Sequence, residues 1–164
     1  MTGFMIDFPK LLERFATAVQ KNDGAGLAAL FTGDGIYDDG FFGAYAGAKA
    51  IAGMLQHFHD TGENFRWDFF DPLSDGRIGY ARYRFSYAAK MKGAEGKPVV
   101  FEGTAFFTFQ GDKIAQYREV FDRGVALVQQ DFDAERLKKV LTKTAARINA
   151  SAEAQEHLTR LARG

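Results

Sequence analysis

Glu119 is the residue on which a chemistry can first be argued. It lies in a stretch that reads FEGTAFFTFQGDKIAQYREVFD, two strand-like runs joined at Gln110-Gly111-Asp112-Lys113. Phe107 and Phe109 recur at period 2 before the turn, and Tyr117, Glu119 and Phe121 recur at period 2 after it. Alternation therefore puts a carboxylate on the same face as the aromatic rings. Turning a carboxylate toward an aromatic interior costs several kcal/mol unless it is paired, so such a group marks a candidate site. A strand end that reaches water, or an arginine partner, would explain Glu119 equally well without chemistry. Asp39 is the second acid, and Tyr37 stands two residues before it. A carboxylate in an apolar pocket has its charged form disfavoured and can shuttle a proton near neutral pH. That chemistry suits proton abstraction beside a carbonyl, with Tyr37 donating a hydrogen bond to a substrate oxygen. Asp38-Asp39-Gly40 is also an ordinary turn sequence, which accounts for Asp39 without any function.

A wall for such a site is available. The 164 residues include 17 phenylalanines, six tyrosines and one tryptophan. Aromatic side chains bury large areas and can line cavities for flat apolar ligands. Trp67, Tyr83, Phe85, Phe107, Tyr117 and Phe121 are the candidates for contact with a substrate. Plain core packing is the competing account, above all for Trp67, which alternates with Phe65 and Phe69.

Other chemistries find little support. Lys plus Arg and Asp plus Glu number 21 each, so no basic footprint points to nucleic acid. Cysteine is absent, which removes disulfides, thiolate catalysis and cysteine-based zinc sites. His57 and His59 are two apart on a helix and do not face one way, so no metal is expected. Gly24-Ala25-Gly26-Leu27-Ala28-Ala29 matches G-x-G-x-x-A but follows a helix rather than a strand, and reads as a loop and helix start. No cofactor is implied. No apolar run approaches the ~18 residues of a membrane span, and the opening MTGFMIDFPK lacks a signal-peptide pattern. A cytoplasmic protein that meets neither membrane nor nucleic acid is the expectation.

The elements that must position these residues follow from periodicity. Asp7-Phe8-Pro9 starts a helix with an apolar stripe of Leu11, Leu12, Phe15 and Val19. A second, short helix is expected to carry Leu27, Leu30 and Phe31 until Gly33 breaks it. Residues 36–39 form a short strand, and residues 40–47 a glycine-rich loop. A third helix bears Ile51, Met54, Leu55 and Phe58 and ends at Thr61-Gly62. The period then changes to 2: Phe65, Trp67 and Phe69, a turn at Asp71-Pro72 and Ser74-Asp75-Gly76, then Ala81, Tyr83, Phe85 and Tyr87. Three helices followed by an antiparallel meander make an α+β fold. The tail is helical again, with Leu137, Val140, Leu141 and Ile148 as a stripe that must dock on something.

This order of elements resembles the nuclear transport factor 2-like superfamily, in its SnoaL-like polyketide cyclase and ketosteroid isomerase-like branch. The resemblance is carried by Lys21-Asn22-Asp23-Gly24, Ala29-Leu30-Phe31 with Asp34, Gly47-Ala48-Lys49-Ala50-Ile51, and Gly111-Asp112-Lys113-Ile114 running into Tyr117-Arg118-Glu119-Val120-Phe121-Asp122. It implies a cone-shaped curved antiparallel sheet wrapped around the three N-terminal helices, an apolar pocket in the cone, and a homodimer. The family domain covers residues 1–130, and residues 131–164 form a C-terminal helical extension. Against the ketosteroid isomerases, Asp39 falls at the general-base aspartate. Phe15 and Ala105 (or Thr104 on a shifted alignment) fall at the two oxyanion-hole donors, so both donors are missing. Against the limonene-epoxide hydrolases, Tyr37 and Arg82 match and Glu119 replaces the last-strand aspartate, but Asp39 and Arg84 stand where an Asn and an Asp are required. The resemblance thus implies a cofactor-independent cyclase or isomerase, with an epoxide hydrolase less favoured. Such an enzyme would act on a small apolar, oxygen-bearing molecule through Asp39, Glu119 and Tyr37. A non-catalytic ligand-binding or dimerisation module of the same fold is the alternative.

Overall fold

A computed structural model describes residues 6–162. The first half of the opening decapeptide and the last two residues of the tail lie outside that range. The first helix, α1 (Phe8–Gln20), begins where the sequence places it. The Asp7 carboxylate accepts from the Lys10 amide at 3.2 Å, Pro9 occupies the first turn, and Leu11, Leu12, Phe15 and Val19 are buried. A second helix, α2 (Gly24–Ala28), is capped by Asp23. It stops short of Leu30 and Phe31, which the sequence reading gave to the helix. Phe31 instead opens strand β1 (Phe31–Asp39), because its backbone pairs with Ile114. A long-range strand partner here overrides local helical spacing. The expected glycine-rich loop closes as a hairpin: β1 returns antiparallel into β2 (Gly43–Ala46), with Asp39 opposite Gly43. Helix α3 (Ala48–Thr61) buries Ile51, Met54 and Leu55.

The meander follows as β3 (Gly62–Ser74), β4 (Ile78–Ala89), β5 (Pro98–Gln110) and β6 (Lys113–Phe121). The six strands form one sheet in the order β2-β1-β6-β5-β4-β3. All pairings are antiparallel except β1 with β6, which is parallel. Asp71-Pro72 does not end β3 as expected. The strand continues to Ser74 across a register shift between Phe70 and Leu73, with Asp71 at φ 51°, and the reversal comes at Asp75-Gly76. Along β4, Ala81, Tyr83 and Phe85 turn inward, while Arg82 and Arg84 turn outward to pair with Asp71 and Glu102 at 2.7 and 3.0 Å. The sheet curves around α1, α2 and α3, and one aromatic-rich core fills the concave side.

Three helices close the chain: α4 (Arg123–Val128), capped by Asp122 and not foreseen from the sequence, α5 (Ala134–Asn149) and α6 (Ala152–Leu161). Neither α5 nor α6 buries a single residue completely. Leu137 and Val140 are half-buried, whereas Leu141 and Ile148 are 40% and 57% exposed. The tail stripe is therefore only half covered within the chain. Among the described residues, no helix is long and apolar enough to cross a membrane.

Candidate functional site

Asp39 and Glu119 come together through the parallel pairing of β1 and β6. Tyr37 is opposite Tyr117, so the residues two further along each strand, Asp39 and Glu119, emerge side by side on the same face. Glu119 accepts three hydrogen bonds. The Gly40 amide donates to its Oε1 at 3.0 Å, and the hydroxyls of Tyr83 and Tyr117 donate to Oε2 at 2.9 and 2.8 Å. One oxygen of Asp39 accepts from the amides of Phe41 and Phe42 at 2.8 and 2.9 Å, the turn geometry that the Asp-Asp-Gly sequence also suggested.

Both acids titrate high. Burial pushes Asp39 up to about 8, and the neighbouring Glu119 charge adds to the rise, against the opposing pull of the Phe42 and Phe41 amides and Arg123. Burial also raises Glu119, but the Gly40 amide, the two tyrosine hydroxyls and a hydrogen bond from Asp39 favour its anion. The pair thus holds one proton between two carboxyl groups, and Glu119, which accepts more hydrogen bonds than Asp39, is the better-supported anion. Burial and the Glu119 charge drive the Tyr83 and Tyr117 hydroxyls far above their usual range, so both stay protonated as donors. Gly103 opposite Phe121 makes room for this arrangement, since a Cβ there would lie 2.7 Å from the Tyr83 hydroxyl and 2.5 Å from the Val120 carbonyl oxygen.

The pair forms the floor of a cavity of about 390 Å³ between the sheet, α3 and the start of the tail. Tyr37, Trp67, Tyr83 and Phe85 line it, together with Phe41, Phe58, Phe65, Tyr87 and Phe101. Phe107, Tyr117 and Phe121 do not. Phe107 lies near the β5–β6 turn, where α1 closes the cone, and packs edge-on against Phe8 and Phe15 at 5.2 and 5.9 Å. Tyr117 lies behind Tyr37, with ring centroids 4.5 Å apart, and reaches the site with its hydroxyl on Glu119, and Phe121 stacks behind Phe101 at 4.5 Å. Period 2 selects a face but not a depth along the cone, and these three sit too near its apex or behind its wall. Phe41 was missed because it follows a turn without periodicity. Phe132 and Val140, from the tail, reach the mouth. The Tyr37 hydroxyl and the Trp67 indole nitrogen are buried without any hydrogen-bond partner. Arg82 lies on the outer face, so the arginine-containing arrangement of the epoxide hydrolases is not assembled. Among the described residues no group of three histidine, aspartate or glutamate side chains could hold a metal ion.

The profile of the SnoaL-like domain matches residues 12–117. The chain belongs to the SnoaL-like domain family. No functionally curated protein matches it. Solved structures reproduce the fold. A protein of ketosteroid isomerase-like fold from Catenulispora acidiphila, in complex with trimethylamine, aligns with a TM-score of 0.70 at 19% identity, over 77% of this chain and 96% of its own. A candidate polyketide cyclase from Xanthomonas campestris aligns with a TM-score of 0.63 at 21% identity, over 74% and 95%. An LEH-like epoxide hydrolase from M. tuberculosis aligns with a TM-score of 0.60 at 17% identity, over 84% and 94%. At these identities the likeness establishes the shared fold and not an activity.

Proposed function

We propose that this SnoaL-like chain is a cofactor-independent enzyme of the cyclase or isomerase type. It moves a proton on a small apolar, oxygen-bearing compound held in the aromatic cavity. One observation carries the reading: Asp39 holds a proton near neutral pH at the cavity floor, beside a Glu119 anion steadied by three donors. A general acid or base works best when its pKa lies near the working pH. In its protonated form Asp39 gives its proton to the oxygen of a bound carbonyl, and in its ionised form it takes one from the carbon beside it. Glu119 accepts the hydrogen bond from Asp39 in the first state. Tyr37 lines the cavity with its hydroxyl buried and its ring stacked on Phe15, so its part is to pack the floor. The cyclase and hydrolase names among the structural neighbours agree with a small-molecule reaction. The test is deuterium uptake from heavy water by a panel of cyclic ketones, followed by NMR. Exchange above the buffer rate, lost in Asp39→Asn, is expected. No exchange in ketones that demonstrably bind would leave a binding module, a reading that the absence of oxyanion donors at Phe15 and Ala105 favours.

The same proposal includes a homodimer formed through the convex face of the sheet. Tyr80, Val100 and Val120 are 43%, 43% and 64% exposed there, beside the Arg82–Asp71 and Arg84–Glu102 pairs. A particle of twice the 18.2 kDa chain mass is expected in sedimentation at micromolar concentration. A clean monomer would refute it.

A further inference from the structure

Most of the donors around the cavity are turned onto the acid pair or onto the backbone. The hydroxyls of Tyr83 and Tyr117 and the Gly40 amide point at Glu119, and the amides of Phe41 and Phe42 point at Asp39. Thr61 donates to the His57 and Phe58 carbonyls, and the Gln130 amide donates to the Tyr87 hydroxyl. The Tyr37 hydroxyl and the Trp67 indole N–H, in the cavity wall, are buried and have no partner.

A cation is well served. The acid pair carries negative charge, and no lysine or arginine lines the cavity. Two guanidiniums act from outside the lining: Arg123, which is felt by Asp39 and donates to the Thr144 hydroxyl at 2.7 Å, and Arg147, which donates to the Gly40 carbonyl at 3.5 Å. Above the pair, Phe41, Phe58, Phe65, Trp67, Phe85 and Phe101 wall the space. An aromatic face attracts a cation through the ring quadrupole, most strongly when water is excluded. A volume of about 390 Å³ is at the small end for ligand pockets, which suits a compact head group.

We infer that the cavity selects an organic ammonium group, such as a methylated or tertiary aliphatic amine, seated over the Asp39–Glu119 pair and enclosed by the aromatic wall. The inference names the ligand class of the same cavity. It rests on that cavity being the functional site, and not on proton transfer taking place there.

The probes are choline and its neutral carbon isostere, 3,3-dimethyl-1-butanol, which differ only in the charged nitrogen. Titration calorimetry on the wild-type protein at pH 7 is expected to give choline at least about tenfold tighter binding. Glu119→Gln should bring the two ligands to within about threefold, and Phe58→Leu should weaken choline more than the isostere. Equal binding, tighter binding of the neutral alcohol, or no binding of either at millimolar concentration overturns the inference. The wild-type comparison stands even where a variant fails to fold. Deuterium exchange into ketones without a preference for choline would sink this inference and keep the proton-transfer reading. A choline preference without exchange would do the reverse.

Discussion

Asp39→Asn is expected to raise the melting temperature by about 5–10 °C at pH 9 while leaving it nearly unchanged at pH 4. The sign follows from linkage. The Asp39 carboxyl is raised from 3.8 to about 8 in the folded protein, chiefly by burial and then by the Glu119 charge. The folded state therefore keeps a proton that the unfolded chain releases above pH ~4. Stability from this group is complete below that pH, falls as pH rises, and is lost once pH passes about 8. The slope approaches ~1.4 kcal/mol per pH unit in that window. Asparagine copies the neutral acid: its oxygen still accepts from the Phe41 and Phe42 amides, and its N–H replaces the proton offered to Glu119. The whole window corresponds to at most about 6 kcal/mol; water entering from the cavity around the ionised carboxylate offsets about half of it, so the variant escapes a loss on the order of 3 kcal/mol, and for a chain of this size each kcal/mol moves the midpoint by roughly 2–4 °C. Circular-dichroism melts at pH 4, 7 and 9 check it, and parallel profiles for the two proteins would show that Asp39 is not the buried acid described. A stability gain bought by removing a functional carboxylate is the usual trade between stability and activity.

Local signals carried much of the architecture and less of the site. The cap Asp7 with Pro9, and the stripe Leu11, Leu12, Phe15 and Val19, delimit α1 because caps and amphipathic spacing are properties of a few adjacent residues. Alternation along β4 likewise sorts Tyr83 and Phe85 inward and Arg82 and Arg84 outward. The start of β1 at Phe31 escaped because its pairing partner, Ile114, is remote in sequence. β2 escaped because GAYA is too short to show a period. Glu119 was legible as an acid on an aromatic face, and Asp39 as a nearby acid. What no local pattern holds is their adjacency, since it depends on the parallel β1–β6 register that brings Tyr37 opposite Tyr117. The roles of Tyr83 and Tyr117 as donors to one carboxylate oxygen follow from the same register across β4, β5 and β6. The sequence could mark these tyrosines as aromatic but not say where their hydroxyls end. The amphipathic tail shows the same limit: its stripe is plain, and only the fold reveals that Val140 reaches the cavity mouth while Ile148 stays exposed.

Glu119→Ala is expected to cost about 3–5 kcal/mol, more than any other single change at the site, and Glu119→Gln much less. Alanine strands three donors at once: the Gly40 amide and the hydroxyls of Tyr83 and Tyr117. Each buried donor without an acceptor costs roughly 1–3 kcal/mol, and water entering from the cavity recovers part of the total. Glutamine keeps one oxygen, which can serve the two tyrosine hydroxyls, while its NH₂ faces the Gly40 amide and loses that bond. It also removes the Glu119 charge, one of the two causes that raise Asp39. The Asp39 titration should therefore fall in Glu119→Gln yet stay above the ordinary carboxylate range, because burial remains. Carbon-detected NMR of the Asp39 carboxyl reads that shift directly, and urea melts read the stability. An Asp39 titration unmoved by Glu119→Gln would mean that the two acids are not electrically coupled. The shared-proton account of the site would then fail even if the cavity kept its shape.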